Sequence, residues 1–132
     1  MKVFLSYASD DEKFAEELRE GLTKFGLDVW DPNRELRRGS NWLLKTGRAL
    51  ERADSVVFLF SHATAKSPSS RKEVEYAISR PKYQGKVISV RLARDVEMPW
   101  ILETLPIVDV KQGDAGAAAR QIARTLTARK TA

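Results

Sequence analysis

The chain has no cysteine, which excludes disulfides, thiolate nucleophiles and cysteine zinc sites. Its one histidine, His62, rules out a multi-histidine metal centre and is a poor basis for a hydrolytic triad. Long apolar runs are also missing. The longest, Val56 to Phe60, is far too short to cross a bilayer. Met1 leads into "KVFLSYAS" without an apolar stretch of signal-peptide length, so the expectation is a cytoplasmic protein without a membrane partner. Neither GxxxxGK[ST] nor GxGxxG follows the first strand, so both nucleotide-binding loops are absent. Ser6 lacks a GxSxG elbow. No basic run is interleaved with aromatics, which leaves nucleic-acid binding unsupported.

What is present fits one compact domain. The 132 residues are 42% hydrophobic and 31% charged, ordinary values for a globular protein. The expectation is a single domain over 1–132, with a tail from about residue 129. A net charge of +5 favours an anionic ligand or partner; the plainer alternative is a mixed, slightly basic surface.

Five strand signals alternate with helical ones. "KVFLSY" reads as a buried first strand. In "SDDEKFAEELREGLTKFG", Phe14, Leu18, Leu22 and Phe25 recur at helical spacing, Ser9 to Glu12 has the form of a capping box, and Gly26 is a natural stop. "LDVW" is a short second strand before the polar loop "DPNRELRRGSN". Ser40 or Asn41 can cap a second helix, "WLLKTGRALERAD". "SVVFLF" is the strongest strand signal, and its unbroken run requires burial on both faces. After a further helix come "KVISVRL" and "IVDV", then the closing helix "DAGAAARQIARTLTAR". This alternation predicts an α/β, flavodoxin-like fold, an open five-stranded parallel sheet of order 2-1-3-4-5 with helices on both faces. Ligands then collect between strands one and three, at their carboxyl ends. A receiver domain of this fold would need an aspartate at the end of strand three, where the chain has "FLFSH". The pair Asp10-Asp11 is therefore read as a helix start, with no metal bound.

"SPSSRKEVEYAI", residues 67–78, places Glu73 and Glu75 beside a stripe of Val74, Ala77 and Ile78. If Ser70 is the N-cap, "SRKE" is a capping box and Glu73 is structural. If Ser67 caps and Pro68 sits at N1, Glu73 caps nothing. At about 100° per residue, helical geometry alone does not choose between the two glutamates. In "WDPNRELRRGSNW", Trp30 and Trp42 flank a cluster of Arg34, Arg37 and Arg38. The loop reads either as a solvated turn or as a surface for a purine and pyrophosphate, or for a protein.

"VFLSYASDD", "GLDVWDPNRELRRGS" and "ALERADSVVFLFSHATAKSPSSRKEVEYAI" together resemble a bacterial TIR domain. The likeness is firmest from Val3 to Ile78 and looser after Lys86. The resemblance implies one of two functions: homotypic scaffolding, or cleavage of NAD+ in an assembled enzyme, as in bacterial immune signalling and antiviral defence. In the enzymatic class a catalytic glutamate lies on the helix after strand three, in a pattern close to S-P-W-x-x-x-E. That pattern falls on Ser67, Pro68, Ser69 and Glu73 and selects Glu73 as the catalytic residue. Ser69 stands where many relatives carry tryptophan. Tyr7, Ala8, Trp30, Arg37, Ser40, Trp42 and Ser69 are the positions the resemblance places near NAD+. The substrate would be NAD+ itself, with no separate cofactor, and the protein partner a second TIR domain.

Overall fold

A computed structural model describes residues 1–31, 42–64, 79, 86–93, 95–98, 100–111 and 113–131. The elements run β1 (Lys2–Ser6), α1 (Glu12–Lys24), β2 (Asp28–Trp30), α2 (Trp42–Arg52), β3 (Ser55–Phe60), β4 (Val87–Arg91), β5 (Ile107–Asp109) and α3 (Ala115–Thr131). The strands form one parallel sheet of order β2-β1-β3-β4-β5. Of the helix expected over residues 67–78 and just beyond, the description reaches only Ser79, which is helical.

Strand alternation divides the core in two. Val3, Leu5, Val57, Leu59, Ile88, Val90 and Val108 face Ala15, Leu18 and Leu22 of α1 and Ala118, Ala119, Ile122 and Leu126 of α3. Phe4, Val56, Phe58 and Phe60 face the other way, toward Leu50 of α2 and the stretch carrying Val96, Met98 and Leu102. Every residue of β3 is buried. Its uninterrupted apolar sequence thus follows from being covered on both faces. No helix among the described residues is long and apolar enough to cross a membrane.

Two local expectations are corrected. Phe25 is not part of the core stripe; it is the C-cap residue of α1 and 51% exposed. The helix stops at Lys24, so the last member of the 3.6-residue period swings off the buried face, and Gly26 at φ 86° turns the chain toward β2. Nor does Ser9 cap α1. Ser9–Asp11 form a 3-10 turn, Asp11 is the N-cap, and its carboxylate makes no capping bond because it is engaged elsewhere. The cap of α3 is regular: the Ala117 N–H donates to Asp114 Oδ1 at 3.0 Å.

Gly21 is set by the crossing of α1 and α3, since a Cβ there would lie 2.7 Å from the Ala119 Cβ. Gly47 in α2 has nothing within 4 Å of the equivalent point. Helix propensity favours alanine over glycine by about 1 kcal/mol, whereas overpacking a core costs about 1–3 kcal/mol. Gly21→Ala is therefore expected to lower stability by about 1 kcal/mol, and Gly47→Ala to raise it by roughly 0.5 kcal/mol. Urea denaturation of both variants checks this; a gain at both sites would mean that the helices part freely.

Candidate functional site

The carboxyl ends of β1, β2 and β3 form one edge, and three of the sequence-selected residues lie along it, Tyr7 packing on the α1 side of the sheet and Trp30 on the α2 side. Tyr7 and Ala8 continue β1 and are buried, while Trp30 ends β2 and is half-buried. Trp30 stacks on Phe4 of the neighbouring strand, ring centroids 5.1 Å apart at 20°. The parallel register that pairs Phe4 with Trp30 brings the rings together. Much of the indole is thereby committed to the core, on the α2 side of the sheet. Arg37, Ser40, Ser69 and Glu73 lie outside the described residues, as does the side chain of Trp42 at the start of α2.

The next residue, Asp31, was not singled out by sequence. It is 1% exposed, and the Tyr7 hydroxyl donates to its Oδ1 at 2.5 Å. Burying a carboxylate is costly unless it is hydrogen-bonded. Hydrogen bonds to charged groups are short and contribute about 1.5–3 kcal/mol each. This bond clamps the end of β2 to the end of β1, at the last described residue before the arginine-rich segment 32–41.

A second clamp joins the turn between β1 and α1 to the turn after β3. The Ser61 hydroxyl donates to Asp11 Oδ2 at 2.5 Å, which is what draws that carboxylate away from the α1 N-terminus. Around Ser61 the chain turns tightly. The Ser61 N–H donates to Thr64 Oγ1 at 3.0 Å, and the Ala63 N–H donates to Ser61 Oγ at 3.2 Å. The Thr64 hydroxyl donates back to the Leu59 carbonyl at 2.9 Å. Serine and threonine hydroxyls here replace the ladder bonds that end with β3. The segment that leads to residues 67–78 therefore leaves the sheet from a fixed turn.

Farther along the edge, exposed His62 and Asp95 approach to 3.1 Å, a surface pair of little energetic weight. Arg91 and Asp109 face each other across β4 and β5. The guanidinium donates Nε to Oδ1 at 2.6 Å and Nη2 to Oδ2 at 3.1 Å. The hydrogen bond and charge of Asp109 raise the Arg91 pKa above its ordinary value. These contacts stiffen the edge without adding a reactive group.

The arrangement as a whole is a polar rim of paired Asp, Ser, Thr and Tyr at the switch point, on a rigid apolar sheet. Such a rim can position loops that close over a ligand.

Comparison with known proteins agrees with this architecture. A family model described as TIR domain matches residues 3–126. No curated protein sequence matches the chain. Among solved structures, the TIR domain of the Toll-related receptor TRR-2 from Hydra magnipapillata is 19% identical, covering 97% of this chain and 95% of that one with a TM-score of 0.73. A prokaryotic SEFIR domain is 15% identical, covering 95% and 91%, with a TM-score of 0.74. A 2-deoxyribosyltransferase from Bacillus psychrosaccharolyticus is 14% identical, covering 86% and 88%, with a TM-score of 0.64. At these identities the likeness is one of fold.

Tyr7→Phe removes the donor to a buried carboxylate and is expected to cost about 1–3 kcal/mol. In a double-mutant cycle with Asp31→Ala, the two losses are expected to be strongly non-additive. Additive losses by chemical denaturation would show that the two side chains stabilise the fold independently.

Proposed function

The chain belongs to the TIR domain family, and on that premise we propose that it cleaves NAD+ at the bond between ribose and nicotinamide. Glu73 is the catalytic residue in this reading. The observation that carries it is the match of Ser67, Pro68 and Glu73 to the S-P-x-x-x-x-E spacing, in the segment that follows β3. That strand borders the switch point, where ligands of such sheets collect.

The chemistry needs only one carboxylate. Ordinary glycosidases pair an acid with a second carboxyl group because an alkoxide leaves poorly. Nicotinamide is a pyridinium while bound to ribose, and the electron pair of the breaking C1′–N bond neutralises it as it leaves. No proton has to be donated. What remains is positive charge on the ribose, which a carboxylate held out of water stabilises by pre-arranged electrostatics. Water then attacks C1′ and releases a proton, giving ADP-ribose; capture by the adenine ring instead gives a cyclic isomer. With no cysteine and one histidine, the chain suits a mechanism that uses neither.

Around this step, Tyr7, Ala8, Trp30, Arg37, Ser40, Trp42 and Ser69 are the proposed NAD+ neighbours. Arg37 offers a charge for the pyrophosphate. Serine at position 69 removes one stacking surface from the nicotinamide half and is read as lowering efficiency without changing the reaction. Tyr7 and Asp31 are positioning residues that hold the base of the loop following β2. Activation by assembly belongs to the same reading, since TIR domains interact homotypically.

A second reading is a non-catalytic TIR scaffold. The exposure of Trp100, 76%, favours it, because tryptophan is enriched in the centres of protein interfaces.

The two readings separate in one experiment. NAD+ consumption, with products identified, is measured over a wide range of protein concentration for wild type and for Glu73→Ala. The enzyme reading expects a loss on the order of a hundredfold or more in turnover, with folding changed by no more than the roughly 1 kcal/mol of a lost helix cap. Equal turnover by folded Glu73→Ala protein would remove Glu73 from the mechanism. No turnover by wild type at any concentration, assembled protein included, would favour the scaffold.

A further inference from the structure

The turn between β1 and α1 carries a carboxylate with one oxygen committed and the other free. Asp11 is partly buried, and its Oδ2 accepts from the Ser61 hydroxyl at 2.5 Å. Its Oδ1 accepts no hydrogen bond among the described residues, and no cationic side chain pairs with it there. The neighbouring Asp10 is exposed and adds a second negative charge. Both residues sit just beyond the carboxyl end of β1, beside β3, where ligands of such sheets collect. A helix that starts at such a point commonly offers its N-terminal N–H groups to a phosphate. Here Asp11 is the N-cap of α1 but makes no capping bond, so a phosphate on those N–H groups would meet a carboxylate at close range. Like charges so close repel even at the dielectric of water. A ligand group that brings a hydrogen-bond donor suits the position instead.

We propose that Asp11 is a ligand-contacting residue, its Oδ1 accepting a hydrogen bond from a ribose hydroxyl of the bound nucleotide. The inference rests on the reading that a ribonucleotide enters at this edge. The Ser61 hydroxyl holds the carboxylate in one orientation, and Ser61 Oγ is itself fixed by the Ala63 N–H at 3.2 Å. The free oxygen is thus presented with less rotamer freedom to lose on binding than an ordinary surface aspartate has. A sugar hydroxyl also bonds more strongly to an ionised oxygen than to a neutral one. The charge that accepts the sugar keeps the pyrophosphate off the α1 N-terminus, which orients the ligand. Asp11 and Glu73 then divide the work. Asp11 binds and orients the sugar, while Glu73 meets the positive charge that develops at C1′ in the proposed reaction.

The test is calorimetric titration of wild type, Asp11→Asn and Ser61→Ala proteins, each shown to be folded by thermal unfolding, with ADP-ribose and with its two halves, AMP and ribose phosphate. ADP-ribose should bind wild type saturably. Asp11→Asn keeps the shape of the side chain and removes its charge, so it should bind ADP-ribose at least about tenfold more weakly. Ser61→Ala breaks the same clamp but leaves the carboxylate, and it should retain most of the affinity. A matching loss for AMP or for ribose phosphate identifies which of the two riboses Asp11 holds. No saturable binding of ADP-ribose to wild type, or undiminished binding to Asp11→Asn, overturns the proposal. Equal losses in Asp11→Asn and Ser61→Ala overturn it as well, because Asp11 would then act only through the clamp. None of these results bears on bond cleavage, which is decided by turnover of the Glu73→Ala protein.

Discussion

The fold rests on the complete burial of β3. Its six residues, Ser55–Phe60, have no exposed face, so helices must cover the sheet on both sides and the strand must lie in its interior. β1 pairs with one edge of β3 and β4 with the other. Right-handed crossovers then put α1 on one face and α2 on the other, and α3, which follows the last strand, packs beside α1. The chain changes direction between β1 and β3, the point of such sheets at whose carboxyl ends ligands generally collect. Both clamps, Tyr7 with Asp31 and Ser61 with Asp11, tie the segments after β1, β2 and β3 together at these strand ends.

How much of this was legible in the sequence follows from the range of each interaction. The sheet order and the core strands are written in runs of apolar residues and in their alternation with helical periods, signals that span a few residues. Phe25 was misread because periodicity does not report where a helix ends, and the helix ends one residue earlier. The capping box at Ser9 failed for a different reason: Asp11 takes the N-cap position and its carboxylate is drawn to Ser61, 50 positions away. Tyr7 and Asp31 are separated by 24 positions. No local pattern encodes such pairs, which exist only once the sheet order has brought the strand ends together. Trp30 was legible as a strand end, but its stacking on Phe4 depends on a register that the sequence does not spell out. For Glu73, Ser69, Arg37 and Ser40 the case rests on motif and chemistry, since they lie outside the described residues.

The carboxyl edge of the sheet gathers paired polar side chains at the ends of β1, β2 and β3. The far side of α1 and α3 carries exposed charged side chains of both signs and the half-exposed Phe25 ring. Asp11, the N-cap of α1, is bonded to the turn after β3, so α1 connects that edge to the far side.

The central claim is that the switch point at the carboxyl ends of β1 and β3 receives NAD+. The most direct measurement is a titration of the Glu73→Gln protein, chosen to suppress turnover, with NAD+ while backbone amide resonances are followed. The account predicts saturable shifts at Ala8, Asp31, Ala63 and Thr64, with the amides of Glu16 and Arg124 unmoved. Saturable shifts confined to residues away from the strand ends would contradict it.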